Sequence, residues 1–416
     1  MKRLLTVTAF TAMLALFRMA AGFVIAKVVA VYTGPTGMAM LGQVQSMVVS
    51  LNGLVSAPAG SGIVRFTAEH SEKGFIACAP WWRASLRWIF ILLAVVVPLG
   101  FILSKPLAKW LFGNPDLSWL VTVCVCVLPF SAIGSLVNSV INGQQQYRRY
   151  VFMGMISVLI SSSIMVILIM RANLSGALLA ASIQNGLIGV VMVLASLRQP
   201  WFKLQYWWGK TESVQRKAIG GYMLMALTSA LTVPVSLMLI RNILVANLGW
   251  EQTGQWQAVW KISEAYLAVI TIALSTYYLP RLSKLNDVES IRVEINNTAK
   301  VVVPLLICMS SAVFFFRDNI ISILFTSDFY EARNLFLVQL CGDVVKMTSW
   351  LYAFPMLSRG ATKWFISTEL AFSLSFVILS VIFVNLFHTI GVCIAYLVNY
   401  IFYLVFVFLN IKNFSR

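Results

Sequence analysis

The chain has 416 residues, 60% of them hydrophobic and 11% charged, with a mean hydropathy of +0.85. Soluble domains carry roughly 45 to 50% apolar residues, so this composition excludes a soluble globular enzyme. The formal charge of +17 suits anionic lipid headgroups and calls for no nucleic acid.

The apolar residues come in runs of about 20 or more, each long enough to cross roughly 30 Å of hydrocarbon as a helix. The polar and apolar alternation that a membrane β-barrel needs is not seen. The chain therefore reads as an all-α integral membrane protein. Its first run, from about Leu4 to Tyr32, follows Lys2 and Arg3. It is too long for a secretory signal peptide, is interrupted by Arg18 and Lys27, and shows no cleavage site, so it reads as a retained first helix.

Runs and breakers taken in chain order predict twelve helices, the first six over 5–32, 38–60, 82–104, 117–141, 150–170 and 174–196. The second six fall over 218–246, 253–279, 298–316, 333–357, 364–385 and 390–411. The polar, aromatic and basic stretch from Leu197 to Lys217 divides them, which predicts six-helix bundles over 1–197 and 218–416 joined by a basic connector over 198–217. A faint repeat accompanies that division: Gly34 to Gln45 and Gly249 to Gln257 each follow a first helix with late cations.

Short basic loops stay cytoplasmic. With the N-terminus inside, 21 of 31 lysines and arginines fall on the cytoplasmic side, and an even helix count returns the C-terminus there beside Lys412 and Arg416. Both termini are expected in the cytoplasm.

An ionisable side chain at bilayer depth costs a few kcal/mol or more and is a functional candidate by default. Five cations qualify: Arg18, Lys27, Arg241, Lys261 and Lys346. Arg18 stays within the hydrocarbon however a 20-residue window of about 30 Å is placed along the first run. Lys27 lies nine residues on and about 180° round the helix, so the two share a cavity only if the helix bends, for which Gly22 is the candidate. Arg241 lies near an outer end, within snorkelling reach of water. Asp343 and Glu264 each stand three residues from a lysine, the spacing at which Asp343 neutralises Lys346 and Glu264 meets Lys261. These two carboxylates are the candidates for ion coupling. Five cations against two acids leave an embedded charge of about +3, which favours an anionic passenger. Gln45, Asn52 and Ser56 share one face of the second helix and are candidates for holding sugar hydroxyls, although helix-to-helix hydrogen bonding explains such residues as readily.

No phosphate-binding loop appears, and His70 and His388 sit in no ligand pattern, so neither a nucleotide cofactor nor a metal is expected. Two rivals to an anion transporter are a multidrug exporter, which calls for acidic cavity residues, and a membrane glycan polymerase or glycosyltransferase, which calls for a large outer loop with catalytic groups. The outer loops are short, the longest near Arg317 to Tyr330.

The stretch FTAMLALFRMAAGFVIAKVVAVYTGPTGMAMLGQVQSMVVSLNGLVSAPAG, and the loop NGQQQYRRY after the fourth helix, resemble the corresponding parts of Wzx-type polysaccharide flippases. The resemblance extends over essentially the whole chain in length, helix count and charge placement. It implies the fold of the multidrug, oligosaccharidyl-lipid and polysaccharide exporter superfamily, two six-helix bundles around a central cavity in the bacterial inner membrane. It also implies an undecaprenyl-diphosphate-linked oligosaccharide as passenger, moved by alternating access. The polymerase and chain-length proteins of the same pathway are the partners it suggests.

Overall fold

The computed structural model describes residues 2–285 and 287–414, with side chains from residue 10 onward except Met225 and Thr276. The side chains of Lys2 and Arg3, and the whole of Arg416, lie outside the described residues. The long helices are α1 (Lys2–Ser56), α3 (Phe75–Ile102), α5 (Ser118–Gly143), α6 (Tyr147–Ser196), α8 (Ser213–Ala273), α10 (Val288–Phe315), α12 (Phe336–Ser358), α13 (Thr362–Phe387) and α14 (Thr389–Phe414). Short helices fill the gaps: α2 (Ser61–His70), α4 (Ser104–Phe112), α7 (Leu204–Trp207), α9 (Leu279–Leu282) and α11 (Arg317–Leu324). No strand occurs among the described residues.

Eight of these helices are long and apolar enough to cross a membrane. Three are broken midway: α1 at Gly34, α6 at Ala172 and Asn173, and α8 at Gly249. With α12, whose Asp343 and Lys346 dilute its hydropathy, they give twelve crossing segments among the described residues, at the places the apolar runs predict. The breaks in α1 and α8 share one geometry, φ 60° and ψ −164° at Gly34 and φ 82° and ψ 173° at Gly249. Only glycine takes such a conformation without strain, and the match gives the faint repeat a structural counterpart. The prolines inside α3, α5, α8, α10 and α12 do not coincide with these breaks.

Helix ends differ from the predicted ones where a helix continues beyond the lipid. α10 begins at Val288 rather than 298, because Asp287 accepts the Ser290 N–H at 2.7 Å and caps a polar first half that hydropathy does not register. The outer loop predicted near Arg317 to Tyr330 is instead α11 followed by a 3-10 segment, Ser327–Leu335.

The chain divides into two units. The first comprises Met1–Val28 and Leu41–Val235. Its core gathers Trp82, Leu136, Val140 and Trp201, and α5 lies close against α6: a Cβ on Gly134 would stand 2.2 Å from the Gly189 Cα. The second comprises Val29–Met40 and Ser236–Arg416. There α12 packs between α10 and α14. Gly342 makes the closest approach possible, since a Cβ there would lie 2.4 Å from the Tyr396 ring.

Candidate functional site

Three of the five predicted cations, and both carboxylates, belong to the second unit. Arg241 does not snorkel as its position near a run end suggests. The break at Gly249 folds α8 into a hairpin that returns Gln257 to it, so Arg241 is 2% exposed, with its Nε donating to Gln257 Oε1 at 2.8 Å and its guanidinium 5.8 Å from the Trp256 ring centroid.

The two lysine and acid pairs, identical in spacing, end differently. Lys261 and Glu264 do form an ion pair, at 3.5 Å, and the Trp260 indole N–H donates to the other Glu264 oxygen at 2.9 Å. Asp343 and Lys346 do not pair within 4.0 Å. The Asp343 carboxylate is already saturated: it accepts from Ser263 at 2.6 Å, Tyr266 at 2.7 Å, Tyr396 at 2.9 Å and Gln339 at 3.3 Å. Four donors around one buried carboxylate leave no lone pair turned towards the lysine.

Lys346 is held by rings instead. Its Nζ stands 5.2 Å from the centroid of Trp350, 5.5 Å from Tyr400 and 5.6 Å from both Trp260 and Tyr396. All four lie within the range of cation–π attraction, which partly replaces the water an embedded ammonium has lost. The cage opens on a cavity of about 330 Å³, lined by Trp260, Glu264, Leu267, Lys346, Trp350 and Tyr396 among others. This cavity offers an ammonium, a carboxylate and flat aromatic walls. Such a set is suited to binding and orienting a ligand.

The cage was missing from the sequence reading. A signal existed: Lys346 and Trp350, Tyr396 and Tyr400, and Trp260 and Glu264 each stand four apart, on one face of their own helix. That the three faces converge is not a local property.

Arg18 and Lys27 belong to the first unit. Gly22 keeps helical dihedrals, so the bend expected there is not found and the break in α1 comes at Gly34. At about 100° per residue, Met13, Leu16, Ala20, Val24 and Val31 form one exposed apolar stripe, as lipid requires. Arg18 sits about 150° from the centre of that stripe, on the side of the buried Leu14 and Ile25, yet is itself exposed. It makes no ion pair among the described residues. Lys27, half-buried, lies on the opposite side. Gln45 and Asn52 are half-buried in α1 beyond the break, where Ser56 donates to Asn52 at 3.1 Å.

Comparison with known proteins agrees with this architecture. The chain is 25% identical over 399 residues to the lipid III flippase of Escherichia coli (strain K12), covering 95% of this chain and 94% of that one, and equally to that of Shigella flexneri. In fold it is similar to an inward-facing multidrug resistance transporter of the MATE family and MOP superfamily, with a TM-score of 0.75 at 14% identity, covering 96% of this chain and 99% of the other. It is similar also to the lipid II flippase MurJ in an inward closed conformation, with a TM-score of 0.68 at 15% identity, covering 98% and 90%. Residues 83–334 match the family model described as polysaccharide biosynthesis protein, and a match over more than half the length makes this multi-pass membrane protein a member of that family.

Proposed function

We propose that this transporter is a lipid-linked oligosaccharide flippase that carries undecaprenyl-diphosphate-linked lipid III of the enterobacterial common antigen from the cytoplasmic to the periplasmic leaflet of the bacterial inner membrane. Full-length similarity to proteins of that name supports the passenger. The observation that carries the reading is Arg18, an exposed, ion-pair-free cation on the packed face of a membrane helix. A diphosphate leaving water needs such compensation, whereas a cationic drug is repelled by it. Family membership and the short outer segments likewise set the glycan polymerase reading aside.

In the cycle we propose, alternating access delivers the headgroup outward, with the connector over 198–217 and the first turns of α8 moving as part of the first unit. Arg18 is the first proposed contact to the diphosphate, Lys27, Arg241, Lys261 and Lys346 are further candidates for holding the headgroup, and Gln45 and Asn52 are candidates for holding sugar hydroxyls. An interior-negative potential favours outward passage of an anion by roughly 2.3 kcal/mol per charge per 100 mV. Of the two acids, Glu264 is the better placed for ion coupling, because it lines the cavity while Asp343 is consumed by four donors.

The test is flipping of a fluorescent polyprenyl-diphosphate sugar in liposomes. Arg18→Ala is expected to slow it by about tenfold or more, the loss of some 1.4 kcal/mol of headgroup stabilisation, while Arg18→Lys retains part of the rate. Equal rates for wild type and Arg18→Ala defeat the assignment, and a change in glycan length defeats the transporter reading.

A further inference from the structure

A second cavity, of about 440 Å³, lies in the first unit where the connector folds back on α3. Arg83 and Arg87 stand one turn apart at its mouth, and the same face of α3 continues as Leu86, Phe90, Ile91 and Ala94. Everything in α3 beyond Arg87 is apolar apart from the indole of Trp88, so the two guanidiniums mark the level at which hydrocarbon gives way to headgroups. Phe90 and Ile91 are exposed, and so is Trp208 on the facing wall.

That wall is built rather than draped. Trp207 stacks on the buried Trp82 at 5.3 Å and donates to the Trp201 carbonyl at 3.1 Å, while Trp88 donates to the Arg216 carbonyl at 3.1 Å. Arg83 donates to the Gln205 carbonyl and lies flat against Gly209, where a Cβ would stand 2.8 Å from its Cζ. Two polar groups at the site stay unsatisfied: Arg83 Nε and the Thr211 hydroxyl are buried with no hydrogen-bond partner. Buried polar groups are rarely left so. No lining residue is acidic. The nearest carboxylate in sequence, Glu212, is exposed beside Thr211, and Arg198, Lys203, Lys210, Arg216 and Lys217 add positive charge along the connector.

We propose that this cavity holds an anionic phospholipid of the surrounding bilayer, its phosphodiester on Arg83 and Arg87 beside the Trp208 ring and its acyl chains along Phe90, Ile91 and Ala94. The bound lipid fixes the connector that leads from α6 to α8, which makes transport dependent on anionic lipid in that leaflet.

The test uses the full-length protein in nanodiscs of phosphatidylcholine, with brominated phosphatidylglycerol or brominated phosphatidylcholine as quencher of tryptophan emission. The Trp208→Phe variant identifies the part of the signal that reports on the site. The anionic quencher is expected to act at lower mole fraction than the neutral one, with a loss of about fivefold in apparent affinity for Arg87→Gln, an exposed side chain outside the packed core. Gly209→Ala, which keeps both charges but displaces the Arg83 guanidinium, is expected to weaken the preference as well. Equal quenching by the two lipids, or a preference unchanged in both variants, overturns the proposal. So does relief of quenching by an equimolar amount of undecaprenyl diphosphate, which makes the cavity an entry point for the passenger instead.

Discussion

Asp343 provides the sharpest test of how the second unit is held together. Its carboxylate accepts two hydrogen bonds on each oxygen, from Ser263 and Tyr266 on one side and from Gln339 and Tyr396 on the other. Asparagine keeps the shape but turns one oxygen into a donor. The cheaper orientation points that NH2 at Gln339, whose Oε1 is already a buried acceptor with no partner. Only the Tyr396 hydroxyl then has to reverse or go unsatisfied, at about 1 to 3 kcal/mol. Relief of a buried charge offsets part of this. Asp343→Leu, by contrast, orphans all four donors, at about 4 kcal/mol or more. With a shift of roughly 1 °C per kcal/mol for a chain of this size, the leucine variant is expected to melt about 5 °C lower and the asparagine variant only about 1 to 2 °C lower. Thermal unfolding of purified protein in detergent, followed by tryptophan emission, reads both. A leucine variant as stable as wild type refutes the hydrogen-bond accounting. Transport closes the argument: the pH profile of flipping should survive in Asp343→Asn, and its disappearance would return Asp343 to the coupling role that its sequence position suggests.

Lys346→Met removes the caged ammonium while keeping its length. The desolvation cost of the charge disappears together with its cation–π attraction, worth about 0.5 to 2 kcal/mol per contact, so stability should hold or rise while flipping falls. A lower melting temperature with normal flipping would mean that the lysine is a structural strut. Gly254→Ala places a methyl 2.1 Å from the Pro35 carbonyl oxygen and must push the two helix tips of the second unit apart. Overpacking of this kind costs about 1 to 3 kcal/mol, to be read as reduced thermal stability, and a neutral effect would refute the contact. At the start of α10, outside the lipid, the backbone N–H and the hydroxyl of Ser290 hold the Asp287 carboxyl below its ordinary range. A depressed folded-state pKa means stabilisation that is present above the unfolded value and lost as pH falls through the folded one. The protection factor of the Ser290 amide, the intrinsic rate at the same pH divided by its exchange rate, should therefore fall on acidification, and Asp287→Asn, which still caps, should flatten that response. An unchanged acid response in this variant would assign it to another group.

The twelve crossings could be read from the sequence because each depends on about 20 consecutive residues meeting hydrocarbon, a local requirement. That Arg18 lies within an apolar run was legible for the same reason, since every window of about 20 residues along that run contains it, but which side of the helix it takes was not, because α1 is apolar all round and only exposure separates Met13, Leu16, Ala20, Val24 and Val31 from Leu14 and Ile25. What local pattern does not contain is the neighbour. Lys261 with Glu264 and Asp343 with Lys346 have the same residue classes at the same spacing, yet one pair closes and the other does not. The difference lies in Gly342, small enough to admit the Tyr396 ring, and in Ser263 and Tyr266, which α8 delivers to the same carboxylate. Once those hydroxyls saturate Asp343, Lys346 has no anion to approach, and Trp260, Trp350, Tyr396 and Tyr400 receive it instead. Spacing along a helix sets which partners are within reach, and the packing of adjoining helices decides which are still available. A lysine packed against rings rather than closed onto a carboxylate leaves its Nζ without an ion-pair partner within 4.0 Å at the wall of the cavity, which is why Lys346 stands with Arg18 among the proposed headgroup contacts.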